Sequence, residues 1–121
     1  MMLEPDVLVR HHVSEHLREA GFIVIEGITA ADGQAVLAAR REVDIFIADL
    51  ALAGEMDGVS FARAIRQTHP ELDVILTFKA QRMPDKPHEM GTFGPLQKPY
   101  HPWEAESRIR ALLDRRRGAK N

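Results

Sequence analysis

The stretch Val43–Gly58, Val-Asp-Ile-Phe-Ile-Ala-Asp-Leu-Ala-Leu-Ala-Gly-Glu-Met-Asp-Gly, constrains the fold more than any other part of the chain. It opens as an apolar run from Val43 to Ala48, rich in β-branched and aromatic side chains. Such a run, bounded by turn residues, suits a central strand covered on both faces. It ends in a carboxylate, Asp49, followed by a loop closed by Gly54 and Asp57-Gly58. In open parallel sheets, ligand chemistry gathers just outside the carboxyl ends of the strands. Asp49 therefore stands where a reacting group would be placed. On this stretch alone, a helix cap or loop-edge aspartate is the alternative.

The flanking sequence alternates helix and strand patterns. Val7 to Ala20 has a helical period, with Val9, Val13, Leu17 and Ala20 on one side and His11, Glu15, Arg18 and Glu19 on the other. Gly21 suits the position after a helix end. Phe22–Glu26 reads as a short strand. Gly27–Gly33 is a connection with Thr29 or Asp32 as cap. A second helix covers Gln34–Arg41 and starts a few residues earlier. Val59–His69 is a third helix with Val59, Ala62 and Ile65 inward and Arg63 and Arg66 outward, stopped by Pro70. Asp73–Thr77 is another buried strand. Phe78–Gly91 is irregular, and Pro84 and Pro87 leave room for one or two helical turns. Thr92–Gln97, with Gly94 and Pro95, is a weak edge strand. Pro102 to about Arg116 is the last helix, with Ala105, Ile109, Leu112 and Leu113 as its buried stripe.

This alternation predicts an α/β fold with a doubly wound parallel sheet. With Leu3 and its neighbours as the end of a very short first strand, five strands in 121 residues suggest the flavodoxin-like order 2-1-3-4-5, with a short or irregular fourth helix. Three strand ends then carry polar groups: Asp49, Thr77 and Lys98. A carboxylate, a hydroxyl and an ammonium brought to one crevice favour phosphoryl chemistry over three unrelated surface residues.

Composition narrows the class. The chain reads as one domain, 1–121, with 45% hydrophobic and 28% charged residues, as in an ordinary globule. A net charge of −2 argues against binding nucleic acid through a basic surface. There is no cysteine, hence no disulfide framework, which fits a cytoplasmic location. No apolar run approaches the roughly 18 residues needed to span a membrane. The basic tail Arg115-Arg116-Arg117-Gly118-Ala119-Lys120 reads as a solvated helix end, frayed from residue 116 onward.

The chain resembles a receiver domain of a bacterial two-component response regulator, along nearly all of its length. The segments that carry the resemblance are Val7-Leu8-Val9-Arg10, Leu17-Arg18-Glu19-Ala20-Gly21-Phe22, Asp44–Asp49, Met56-Asp57-Gly58, Pro70–Thr77 and Lys98-Pro99-Tyr100. The resemblance implies that Asp49 accepts a phosphoryl group from a histidine kinase, that Thr77 is the switch hydroxyl, and that Lys98 binds a phosphoryl oxygen. It implies magnesium held by an acidic pair ending the first strand, by the phosphoacceptor and by a backbone carbonyl two residues on, at Ala51.

Three positions depart from that pattern. The acidic pair aligns with Glu4 and Pro5, and proline offers no ligand. Asp6 is one residue late and suits an N-cap. Glu4 is left to hold magnesium directly or through water, so weak magnesium binding is expected. Ala53 replaces a loop proline, which should loosen that loop. Pro95 stands where the family has an aromatic switch residue, and Tyr100 is too far along to replace it simply. The short first strand suggested pairing with another chain and hence a homodimer.

The leading reading is a stand-alone response regulator that takes phosphate from a sensor histidine kinase and acts through a downstream protein or phosphotransfer partner, with no DNA-binding domain. The alternative is a receiver-like interaction module that is never phosphorylated. A small phosphohydrolase is disfavoured because Ala51 supplies no acid–base carboxylate beside Asp49; the chain is not read as an enzyme. His12 and His16 have metal-ligand spacing on a helix, without an apparent third ligand. His11, His12 and His16 are expected at the exposed face or its border, where the first helix would meet a kinase. Trp103 is either an interface anchor or a half-buried aromatic at a helix start.

Overall fold

Residues 1–80 and 94–120 are described by the structure, a computed structural model. The strands are β1 (Met2–Leu3), β2 (Glu26–Gly27), β3 (Ile45–Asp49), β4 (Asp73–Lys79) and β5 (Leu96–Lys98). The helices among the described residues are α1 (Val7–Glu19), α2 (Ala30–Ala38), α3 (Gly58–Thr68) and α4 (Pro102–Lys120). The strands form one parallel sheet in the order β2-β1-β3-β4-β5, the flavodoxin-like order expected from sequence.

Side chains alternate across the sheet, because successive residues of a strand point to opposite faces. Leu3, Phe46, Ala48, Val74 and Leu76 face one way and pack with Ala30 of α2 and Val59, Phe61, Ala62 and Ile65 of α3. Met2, Ile45, Ile47, Ile75 and Leu96 face the other way and pack with Val13 and Leu17 of α1 and Ala105 and Ile109 of α4. Phe46 and Phe61 meet edge to face at 5.0 Å, a favoured aromatic geometry.

The helix ends follow from local chemistry. Asp6 caps α1, its Oδ1 accepting the N–H groups of Leu8 at 2.9 Å and Val9 at 3.2 Å. At the other end Gly21 adopts φ +99°, a conformation that favours glycine. There the N–H of Phe22 reaches the carbonyl of Leu17 and that of Gly21 reaches Arg18, which closes the helix as a Schellman turn. In α2, Thr29 and Asp32 act together. The Asp32 N–H donates to the Thr29 side chain, and the Asp32 carboxylate accepts the Thr29 N–H, a capping box. That box starts α2 at Ala30, four residues before Gln34.

Several boundaries differ from those read off the sequence. The strand expected over Phe22–Glu26 is confined to Glu26–Gly27. β1 has only two residues to pair, and they meet Glu26 and Gly27; Phe22 instead packs on the α1–α4 face under the Arg110 guanidinium, 4.9 Å away. β1 lies between β2 and β3, so it presents no free edge for another chain, and the reason for expecting a homodimer is lost. The fourth helix expected within Phe78–Gly91 lies outside the described residues, except that Phe78 and Lys79 continue β4. The final strand begins at Leu96, later than Thr92. Helix α4 runs on to Lys120, and Arg116 is tied down, donating to the carbonyls of Asp44 and Glu71.

Candidate functional site

The alternation that builds the α1–α4 face continues past the carboxyl ends of the strands. Two residues beyond Met2 is Glu4; two beyond Ile47 is Asp49; two beyond Ile75 is Thr77, and two more is Lys79; two beyond Leu96 is Lys98. These side chains are therefore placed on one side of the sheet, at its carboxyl edge. Register brings them level: Asp49 lies opposite Thr77, and Lys79 opposite Lys98.

Lys98 is the centre of the cluster. Its ammonium donates to Asp49 Oδ2 and forms an ion pair with Glu4 Oε1, and all three side chains are largely buried. The other carboxylate oxygens are also held. Asp49 Oδ1 accepts the Ala51 N–H at 2.7 Å, and Glu4 Oε2 accepts the Asp6 N–H at 3.1 Å. Burial pushes the Glu4 carboxyl above its ordinary pKa, against the opposing pull of Lys98 and the Asp6 amide. Burial also works against the Lys98 charge, but hydrogen bonds to Asp49 and Glu4 outweigh it and hold the ammonium above its ordinary value. Glu4 shares a single cation with Asp49, whereas Lys98 has two anions to itself.

The backbone around Asp49 is fixed from three sides. The Leu50 N–H donates to the Thr77 carbonyl at 2.7 Å, and the Gly58 N–H to the Leu50 carbonyl at 3.0 Å. Ala53 forms an isolated parallel bridge with Thr29. This bridge and these hydrogen bonds hold the backbone on either side of Ala53. Thr77 is buried beside Asp49.

Glu4, Pro5, Asp6, Asp49, Leu50, Ala51, Lys79 and Lys98 line a cleft of about 170 Å³. A larger hollow, about 590 Å³, lies at the opposite, amino end of the sheet, among Met2, Phe22, Val24, Ile45 and Leu113. It has no part in this cluster. Magnesium takes oxygen ligands, uses one or two carboxylates and keeps several waters. Glu4, Asp49 and the Ala51 carbonyl fit it in kind, with Pro5 adding no donor. Among the described residues no group of three His, Cys, Asp or Glu side chains is disposed around a metal.

Other expected residues fall elsewhere. His11 and His12 are exposed. His16 is half-buried, its Nε2 2.8 Å from Glu106 Oε1, and so ties α1 to α4. Trp103 is exposed, 6.0 Å from the His101 ring. Pro95 lies at the position three before Lys98, just ahead of β5. One residue of the cleft, Lys79, is not among the expected site residues. The strand expected over Asp73–Thr77 stops short of it, whereas β4 runs on to Lys79. Tyr100 packs on the α1–α4 face. Burial, then the nearby charges of Glu4 and Asp49, hold its phenol well above the ordinary value.

Comparison with known proteins agrees with this architecture. The family model of the response regulator receiver domain matches residues 1–110. The transcriptional regulatory protein PhoP of Escherichia coli is 29% identical over 120 residues, 98% of this chain and 53% of that protein. The virulence transcriptional regulatory protein PhoP of Salmonella typhimurium is 30% identical over 120 residues, with the same coverage. The chain thus spans about half the length of these curated relatives. Among solved structures, the signal receiver domain of an HD domain-containing protein from Pseudomonas fluorescens superposes with a TM-score of 0.83 at 21% identity, covering 97% of this chain and 94% of that one. A CheY-like response regulator receiver domain protein from Methanospirillum hungatei gives 0.84 at 16% identity, covering 98% and 94%. At such identities the likeness speaks for the fold. The family match extends from β1 into the middle of α4, and the chain belongs to the response regulator receiver domain family.

Proposed function

We propose that this receiver accepts a phosphoryl group on Asp49 from a sensor histidine kinase in the cytoplasm and signals through protein contacts. The observation that carries the reading is the setting of Asp49. It sits at the carboxyl end of a central strand, in a small cleft, hydrogen bonded to a buried ammonium and level with a buried hydroxyl. Receiver domains are in general phosphoacceptors rather than enzymes, they interact with histidine kinases, and they typically bind magnesium beside the phosphorylated residue.

In the proposed step an Asp49 carboxylate oxygen attacks phosphorus. The Asp49 O–P bond forms as the donor's P–N bond breaks, and the electron pair stays on the imidazole, which leaves neutral if its other nitrogen carries a proton. Negative charge spreads over the phosphoryl oxygens, so the protein acts by positioning and by charge. Lys98 would turn from Asp49 to a phosphoryl oxygen, and Thr77 would donate a hydrogen bond to another. Magnesium, when bound through Glu4, Asp49 and the Ala51 carbonyl, would neutralise further charge; with Pro5 in the acidic pair it binds weakly. A docking face for the kinase is supported by Val7 and Leu8, which are exposed on the first turn of α1 beside His11 and His12. No described helix is long and apolar enough to cross a membrane.

Intact mass after incubation with acetyl phosphate and magnesium tests the reading. We expect one added phosphoryl group in the wild type and none in Asp49→Asn. Pro5 and Pro95 favour the second reading, a phosphorylation-independent module. No mass gain in the wild type, even at high magnesium, would establish that reading over the first.

A further inference from the structure

We propose that Lys79 is a second phosphoryl-binding cation, which lets the site work with little help from a divalent metal. This rests on the phosphoacceptor reading of Asp49. Four observations place Lys79 there. It is the cross-strand partner of Lys98, and its side chain follows Thr77 by two on the same side of the sheet. It lines the cleft that holds Asp49 and Glu4. Its charge is felt at Asp6, on the rim of that cleft.

Two lysines directly opposed on neighbouring strands repel, and such a pair costs stability unless an anion sits between them. Among the described residues, the anions at the cleft are Glu4, Asp49 and Asp6. Lys98 is already committed to Glu4 and Asp49. Asp6 Oδ1 is committed to the amides of α1. Among the described residues that line the cleft, Lys79 is the cation left to meet an incoming dianion. Its ammonium also opposes a divalent ion between Glu4 and Asp49, where Pro5 has already removed a ligand. Phosphorylation turns the single negative charge of the Asp49 carboxylate into an acyl phosphate that carries up to two, spread over its phosphoryl oxygens. Lys98 and Lys79 together answer them without a metal.

The experiment compares wild type, Lys79→Ala and Lys79→Glu, each incubated with acetyl phosphate in magnesium and in EDTA. Phosphoryl transfer is followed by intact mass, with acetate leaving and Asp49→Asn as the blank. Magnesium affinity of the unphosphorylated proteins is measured by calorimetry. We expect the wild-type rate to change little between magnesium and EDTA, and Lys79→Ala to fall about 100-fold in EDTA, as when one preorganised donor is removed. Removing the opposing charge should tighten magnesium binding about tenfold in Lys79→Ala and further in Lys79→Glu. An equal magnesium-to-EDTA ratio in wild type and Lys79→Ala overturns the role of Lys79 while leaving Asp49 as phosphoacceptor. No Asp49-dependent mass gain in any protein overturns the phosphoacceptor reading, and the role of Lys79 with it.

Discussion

A methyl group added at Gly58 would lie 2.3 Å from the carbonyl oxygen of Asp49 and 2.8 Å from Leu50 Cα. Both neighbours are backbone, so neither can swing aside. The glycine is there to let the start of α3 touch the loop that carries Asp49. We expect Gly58→Ala to cost about 1–3 kcal/mol, the range for forced overpacking, read as a lower urea midpoint. It should also slow phosphorylation, because the carbonyl displaced belongs to Asp49 itself. Residues of this kind differ in how far they can be read from sequence. Asp49, Thr77 and Lys98 were legible because each ends a β-patterned run in a polar group. Glu4 was legible through its place before Val7-Leu8-Val9-Arg10. Lys79 was not, because Phe78 suits a strand but a lysine after it gives no sign that the strand continues. Pairing with β5 decides that.

At the scale of elements, helix starts were easier to read than the short strands. Thr29 and Asp32 were named as possible caps, and the structure uses both, each satisfying an amide of the other. Thr29→Ala removes one half of the box and should lower stability by about 1 kcal/mol, measured by urea unfolding. Asp32 adds a pH dependence. The N–H groups of Ile28 and Thr29 hold its carboxyl below the ordinary value of 3.8. The folded state therefore favours the ionised form. Its contribution is complete above pH 3.8 and fades as pH falls through the lower folded value. The difference in melting temperature between wild type and Asp32→Ala should stay constant from neutral pH to about pH 4.5 and narrow on acidification toward pH 3. A difference that narrows already above pH 5 would contradict the box. The extent of β2 was misjudged because a strand lasts only as long as its neighbour, and β1 offers two residues.

At the scale of the molecule, the sheet separates two apolar layers that share no side chains among the described residues. Phe61 is fully buried in the α2–α3 layer, against Phe46 and close to Gly33. Phe61→Ala should cost about 3–5 kcal/mol, a large part of the roughly 5–15 kcal/mol that stabilises a domain. Chemical denaturation would show it as a midpoint shift. The buried phenylalanine has no polar role, so any phosphorylation that survives in the folded fraction should still need Asp49. By itself, the sequence determined the fold class, the strand order and the carboxylate at the end of the central strand. Those follow from the period of apolar residues and from turn and cap chemistry, which act over a few residues at a time. Tertiary structure decided which ends are level with one another, how long β1 and β2 are, and that Lys98 is shared between Glu4 and Asp49. It also decided that Lys79 faces the same cleft. These depend on register between strands far apart in the chain, which local pattern does not encode; packing and backbone hydrogen bonding set it only when the whole sheet assembles.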